Sequence, residues 1–348
     1  MMGQTQIRIR NLLKIYQMLF RGPLTRHTLM ECSGLSLMSV TNLTNKLLRA
    51  GVVELTDTDK PENKYGRRAE AVSLKTDEPV WAVLDLRNSM PSYTLFTADR
   101  RSYSTRPIEG TDYAKGFEGL LKQTGDLKRQ YYLRGAAAIT PGPYDPEKDR
   151  VSNIRIPMLN GIPLRETLRG AMGVDCFIEE DVKLSAAACA EHYTAADSLY
   201  YLYIGDGVGG AFVTGGSLIS GLNSMAGDPG QLVCGNDTYE NLLNTAAWRE
   251  ALKTMTEDEA IARNARIAKS LIDIIIGILD PHAIIIDCVY LGKEAGRRFA
   301  AETGSLLSYA DWRKLPYISA PDFSEQVAYL GAIKNMEQRW ITRLVNDK

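Results

Sequence analysis

Between residues 7 and 51 the chain is cut three times, at Gly22-Pro23, at Ser33-Gly34 and at Gly51, and each interval carries apolar residues at helical spacing. Leu12, Leu13, Ile15, Tyr16, Leu19 and Phe20 predict a first helix from Ile7 to Phe20, which Arg21-Gly22-Pro23 stops. Thr25 then precedes a short helix over Arg26 to Cys32, closed by Ser33-Gly34, glycine being favoured where a helix must reverse. Ser36 is a suitable N-cap for a third helix whose Val40, Leu43, Leu47 and Leu48 form one apolar stripe, and whose other face is polar. Two short helices joined by a glycine-containing turn have few ways to bury both stripes, and the pattern is that of a helix-turn-helix. Val52 to Leu55 and Ala71 to Leu74 then alternate like two strands around a polar loop ending in Tyr65-Gly66-Arg67-Arg68, which reads as a wing.

Charge agrees with this division. The first 75 residues hold 12 Lys/Arg against 6 Asp/Glu, whereas the remainder holds 29 against 36, so a net charge of −1 conceals a basic head on an acidic body. Phosphate neutralisation needs local positive charge, and a basic head is what contact with double-stranded operator DNA requires. On spacing alone the third helix also fits a plain packing helix; the wing and the local charge favour DNA contact. Ser39, Thr41, Asn42 and Asn45 are the expected major-groove residues, with Asn42 placed for bidentate contact to adenine, and Lys46, Arg49, Arg67 and Arg68 are the expected phosphate or minor-groove contacts. The polar helix face lacks arginine in its interior, which argues against strong guanine readout.

The rest of the chain has the composition of an ordinary globular protein, 45% apolar, and its longest apolar stretch, Leu271 to Leu279, is broken by Asp273 and too short to cross a bilayer. No secretory signal is read at the N-terminus. Five cysteines lie far apart with no Cys-x-x-Cys pair, which implies neither a disulfide framework nor a zinc cage and points to the reducing cytoplasm. After a short linker at Asp77-Glu78-Pro79, strand patterns (Val80 to Leu86, Tyr93 to Thr97, Tyr131 to Ile139, Leu199 to Thr214) alternate with helical ones (Tyr113 to Gln130, residues near 260–279 and 325–346), so the class is α/β.

Several short motifs then occur in a particular order. They are Gly135 through Pro143, Asn153-Ile154-Arg155-Ile156-Pro157 with Pro163-Leu164, Glu180-Asp181 before Ala186-Ala187-Ala188, and Ile204-Gly205-Asp206-Gly207-Val208-Gly209-Gly210. Ser220-Gly221 to Ala226-Gly227-Asp228-Pro229-Gly230, Asp280-Pro281 and Leu330-Gly331-Ala332 follow. In this order the body resembles the ROK family of repressors, open reading frames and sugar kinases, and the leading helix-turn-helix resembles that of the family's repressors. The resemblance implies a winged helix-turn-helix domain over residues 1–78 and a sugar-kinase-like domain over 79–348, with actin-like (ribonuclease-H-like) α/β lobes at about 79–198 and 199–348 and a C-terminal helix returning to the first lobe.

The departures from the family pattern bear on function. Where active members carry an Asp-x-Gly-Gly-Thr-type phosphate loop, this chain reads Asp85-Leu86-Arg87-Asn88-Ser89, putting side chains in the phosphate path. Asp287-Cys288-Val289 replaces the glycine-rich turn near the adenosine end, and Asp206 adds charge to the remaining glycine loop, so nucleotide is expected to be blocked and repelled. The family's zinc cysteines reduce to Cys234, too few for a tetrahedral site, so no metal and no cofactor are expected. Asp181 matches the family's catalytic base and is read as vestigial; Glu180, Asp181, Asp228, Gln231 and Glu240 are the expected contacts to a sugar or sugar-like effector. The resulting expectation is a non-enzymatic transcriptional regulator, a repressor by resemblance, without membrane association and acting as a homodimer or higher homo-oligomer. The alternatives are a sugar kinase with a DNA-binding head and a constitutive DNA- or partner-binding protein with a vestigial pocket.

Overall fold

The computed structural model describes residues 3–57, 70–152, 156–193, 197–309, 312–322 and 327–346. The chain opens with α1 (Gln4–Met18), β1 (Leu24–Thr25), α2 (Arg26–Ser33), α3 (Leu37–Arg49), β2 (Val53–Asp57) and β3 (Glu70–Leu74). It continues with β4 (Trp81–Asp85), β5 (Ser92–Phe96), β6 (Ser102–Pro107), α4 (Tyr113–Gln130), β7 (Gly135–Thr140), β8 (Tyr144–Asp145), β9 (Arg150–Val151), α5 (Leu164–Met172), β10 (Cys176–Glu180) and α6 (Asp181–His192). Then come β11 (Ser198–Ile204), β12 (Val208–Thr214), β13 (Ser217–Leu218), β14 (Val233–Cys234), β15 (Asp237–Thr238), α7 (Tyr239–Leu243), α8 (Thr245–Ala251) and α9 (Glu257–Leu279). The last elements are β16 (Ala283–Cys288), α10 (Gly292–Ser305), β17 (Tyr317–Ser319) and α11 (Val327–Asn346). Among the described residues no helix is long and apolar enough to cross a membrane.

These elements form two compact units, one of Met1–Pro141, Ile154–Ile178 and Ala332–Lys348, the other of Gly142–Asn153 and Glu179–Gly331. The first unit contains the head, a three-stranded antiparallel sheet in the order β1-β3-β2 under three helices, and a five-stranded sheet in the order β10-β7-β4-β5-β6. Its central strand β4 is buried at every position, as a strand covered on both faces must be. The head is built into this unit: Lys75 N donates to Val52 O, and Ala98 N donates to Lys75 O.

The second unit has a five-stranded sheet in the order β13-β12-β11-β16-β17. In each five-stranded sheet the first strand pairs antiparallel with the second and parallel with the fourth, as β4 does with β5 and β7, and β11 with β12 and β16. The two sheets therefore repeat one topology, which the sequence does not announce as a repeat. Along β11, Tyr200, Leu202 and Ile204 face a core built with α9, α10 and Trp248, while Leu199 and Tyr201 face one built with Val182, Ala186 and Cys189 of α6. Alternation thus serves two apolar layers instead of one.

β6 is not anticipated from the sequence because it is an edge strand with a polar, exposed run, Ser-Tyr-Ser-Thr-Arg-Pro, which gives no period-two apolar signal. The strand expected from Tyr131 begins only at Gly135, since Tyr131 closes α4 and Tyr132 is exposed.

Candidate nucleic-acid interface and ligand site

In the head, Thr25 caps α2 by accepting from Thr28 N at 3.1 Å. Gly34 ends α2 in the left-handed region at φ +71°, a conformation glycine adopts without penalty, and Ser36 caps α3 by accepting from Ser39 N at 3.2 Å. The turn between the helices is thus fixed at both ends by local chemistry. Val40, Thr44 and Leu47 are the inward face of α3. Two further bonds hold the helices in place: Lys14 Nζ donates to Ser33 O at 2.8 Å, and Arg26 reaches from α2 to α3, donating to Thr44 Oγ1 and Asn45 Oδ1, each at 3.2 Å.

Opposite the buried face lie Met38, Asn42, Asn45 and Arg49, at intervals of four, three and four residues and therefore on one stripe of the helix. Met38 is 77% exposed and Asn42 and Arg49 are exposed; Asn45 is half-buried, its carbonyl engaged by Arg26. Of the other residues singled out in the sequence, Thr41 and Lys46 are half-buried on the flanks, and Ser39 is half-buried with its hydroxyl against that of Ser36 at 2.9 Å. β2 and β3 pair antiparallel from Val53↔Leu74 to Asp57↔Glu70, on either side of residues 58–69, where the wing was expected. Arg67 and Arg68 lie outside the described residues. Met38 was missed because an apolar residue on a helix is ordinarily assigned to the core; its phase, 200° from Val40 at 100° per residue, was the available signal.

In the second unit, Glu179, Glu180 and Asp181 gather at the start of α6, where the helix dipole favours negative charge. Lys183 is 3% exposed, and its Nζ lies 3.1 Å from Glu180 Oε2 and 3.5 Å from Glu179 Oε1. The lysine thus pairs with the two glutamates before Asp181, and the Glu-Glu-x-x-Lys spacing, i to i+3 and i+4, was a legible sign of it. Burial pushes the Glu180 carboxyl up to about 7, with neighbouring Asp181 and Glu179 acting in the same direction and Lys183 against them. Asp228 is accessible at the surface, yet the surrounding protein desolvates it enough to raise its pKa, against the pull of Gly230 N, which donates to its Oδ1 at 3.2 Å, and of Lys183. Glu180, Asp228 and Lys183 therefore share one electrostatic neighbourhood with Asp181.

Glu240 and Gln231 sit differently. Glu240 Oε2 accepts from Val208 N at 2.6 Å, and its backbone N donates to Gly230 O at 2.8 Å, so this carboxylate braces the turn between β11 and β12. Gln231 is exposed. Close approach explains the glycines in and around this turn. A Cβ at Gly205 would stand 2.3 Å from the Tyr203 hydroxyl, at Gly210 2.1 Å from the Tyr200 hydroxyl, and at Gly230 2.3 Å from Val208 O. Tyr200 in turn donates to Gly227 O at 2.5 Å.

At the corresponding turn of the first unit, after β4, Arg87 folds back on the buried Asp85. Its Nε and Nη2 donate to the two carboxylate oxygens at 2.9 and 2.7 Å, its backbone N donates at 3.0 Å, and Tyr113 closes the turn by donating to Leu86 O at 2.9 Å. Asp287, expected to repel a nucleotide, accepts a 2.5 Å bond from the buried Tyr201, and burial raises its carboxyl. Both acidic side chains are thus engaged by partners on their own units.

A helix-turn-helix head and two repeats of a five-stranded α/β sheet define an actin-like α/β architecture carrying a helix-turn-helix module. Residues 94–247 match the model of the ROK family. It is 24% identical over 249 residues to the DNA-binding transcriptional dual regulator NagC of Escherichia coli K12, a match covering 66% of this chain and 60% of that protein. It is 29% identical over 134 residues to an N-acetyl-D-glucosamine kinase of Vibrio cholerae, covering 38% and 44%. The chain spans about six tenths of the length of the first curated relatives it matches. In fold it is similar to a ROK family transcriptional regulator, a homolog of the E. coli MLC protein, with TM-score 0.72 at 20% identity over 98% of each chain.

Proposed function

We propose that the protein is a sugar-responsive transcriptional regulator that binds double-stranded operator DNA through its head and does not phosphorylate its ligand. The observation that carries this reading is the outward stripe of α3, Met38, Asn42, Asn45 and Arg49, held on a capped helix-turn-helix in the same compact unit as the first five-stranded sheet. Similarity to NagC, and similarity in fold to a ROK family transcriptional regulator over 98% of the chain, support it. Lys46 and Arg49, with Arg67 and Arg68, are assigned to the DNA backbone or minor groove, and Asn42, Ser39, Thr41 and Asn45 to the major-groove side.

The effector is a sugar or N-acetylated sugar held by hydroxyl-directed carboxylates, Glu180, Asp181 and Asp228, with Gln231 and Glu240 supporting. The relative that is an N-acetyl-D-glucosamine kinase points to the same ligand class. The Asp85–Arg87 pair fills and neutralises the turn after β4, and in and around the second turn Gly205, Gly210 and Gly230 are packed against Tyr203, Tyr200 and Val208, which supports a sensor over a kinase. Effector binding acts by differential affinity for two arrangements of paired heads in a homodimer, the symmetry a palindromic operator requires. A mobility-shift titration against DNA from upstream of its own coding region tests this. Binding that falls steeply between 50 and 200 mM salt and is relieved by an N-acetylhexosamine is the expected result; salt-independent retention, or none, refutes it.

A further inference from the structure

One exposed apolar side chain bears on the sequence-selective contact of the head, an inference that rests on the DNA-binding reading above. Met38 stands in the first turn of α3, the end of a recognition helix that meets base edges, and is 77% exposed, with Leu37 beside it 47% exposed. A large apolar side chain held in water on a helix whose inward face is already filled by Val40, Thr44 and Leu47 contributes nothing to the core. Along its stripe the apolar surface ends after one residue and gives way to Asn42, Asn45 and Arg49. A protein-docking patch would continue as apolar surface, whereas an apolar contact followed by amides and then a guanidinium follows a path from base edges outward to phosphate. In the major groove only one base edge offers an apolar group, the 5-methyl of thymine. The unbranched thioether of methionine adapts its shape to such a group.

We propose that Met38 and Asn42 form a two-residue reading pair in which Met38 selects thymine through its 5-methyl group and Asn42 selects adenine through its amide. Asn45 is the weaker candidate for adenine because Arg26 occupies its carbonyl at 3.2 Å. The four-residue separation of Met38 and Asn42 advances about 6 Å along the helix axis, so the thymine and adenine lie within about two base pairs of each other.

The test selects tight binders of the full-length protein from a pool of random 20-base-pair duplexes, then replaces each thymine of the selected site by deoxyuridine, which deletes the methyl and nothing else. For the wild type, one replacement weakens binding about fourfold, the worth of one buried methyl. Met38→Ala loses that discrimination and Met38→Leu retains it, while Asn42→Ala loses the adenine preference. The inference is overturned if no deoxyuridine replacement matters, if the selected site has no thymine near its adenine, or if Met38→Ala discriminates as the wild type does. If the protein instead retains no duplex in a salt-dependent manner, the DNA-binding reading fails and this inference with it, an outcome distinct from binding that ignores the methyl.

Discussion

Replacing Glu337 by alanine should loosen the head from the sheet that carries it. Glu337, on α11, is 3% exposed. Its carboxylate accepts from Arg100 Nε at 3.1 and 3.2 Å, from Arg100 Nη2 at 2.5 Å, and from the hydroxyl of Tyr16 on α1 at 3.2 Å. Tyr16, fully buried, has one proton to share between Glu337 and Ala98 O, 3.0 Å away, and burial together with the Glu337 charge raises its pKa. Arg100 takes a left-handed backbone at φ +65° and lays its guanidinium 4.4 Å from the Phe20 ring centroid. Removing the carboxylate takes a half-buried guanidinium's bidentate partner away, for which about 3–5 kcal/mol is the expected loss. Tyr16→Phe removes one shared hydrogen bond and should cost about 1–2 kcal/mol. Trp340 packs 5.4 Å from Trp81 and 6.4 Å from Tyr16, so tryptophan fluorescence during urea unfolding, with hydrogen exchange across α1 and α11, reads the change where it occurs. A loss under about 1 kcal/mol for Glu337→Ala, with unchanged exchange in α1, would refute the claim that this cluster fastens the head.

Further expectations concern the second unit. Carboxyl NMR should find Glu180 titrating near pH 7, and Lys183→Met should move that midpoint higher, because Lys183 lowers it. A carboxyl raised on folding binds its proton more tightly in the native state, so its contribution to stability is greatest below the unfolded glutamate pKa and is lost as pH rises through about 7; Glu180→Gln should flatten stability over that window. Gly210→Ala should cost about 1–3 kcal/mol by driving a methyl into the Tyr200 hydroxyl, whereas Gly277→Ala, in α9 with nothing within 4 Å, should stabilise by about 0.5–1 kcal/mol; thermal unfolding of both variants separates close packing from helix propensity.

Much of the head was legible because its boundaries are local chemistry. Thr25, Gly34 and Ser36 each act through bonds to residues no more than four positions away, so the helices they bound could be read from neighbours in the sequence. Burial was less legible: Met38 looks like any core methionine until its phase against Val40 is worked out. In the body, apolar runs such as Val80 to Leu86 identified strands well, but polar edge strands such as β6 left no pattern. The candidate ligand residues illustrate the limit most clearly. Glu240, expected as a hydroxyl contact, also braces Val208 N, and the buried Lys183 pairs with Glu179 and Glu180. Which of several nearby acids a buried cation chooses depends on helix phase and on distant chain segments, neither of which residue order alone supplies.

On the proposed reading the turns after β4 and β11 hold no triphosphate, because Arg87 is engaged by Asp85 and Gly205 lies against the Tyr203 hydroxyl. Incubating the purified chain with Mg-ATP and a panel of hexoses and N-acetylhexosamines, and measuring sugar phosphate directly, tests this. Product at the protein-free level is the expected result; sustained turnover abolished by Asp181→Asn would contradict it.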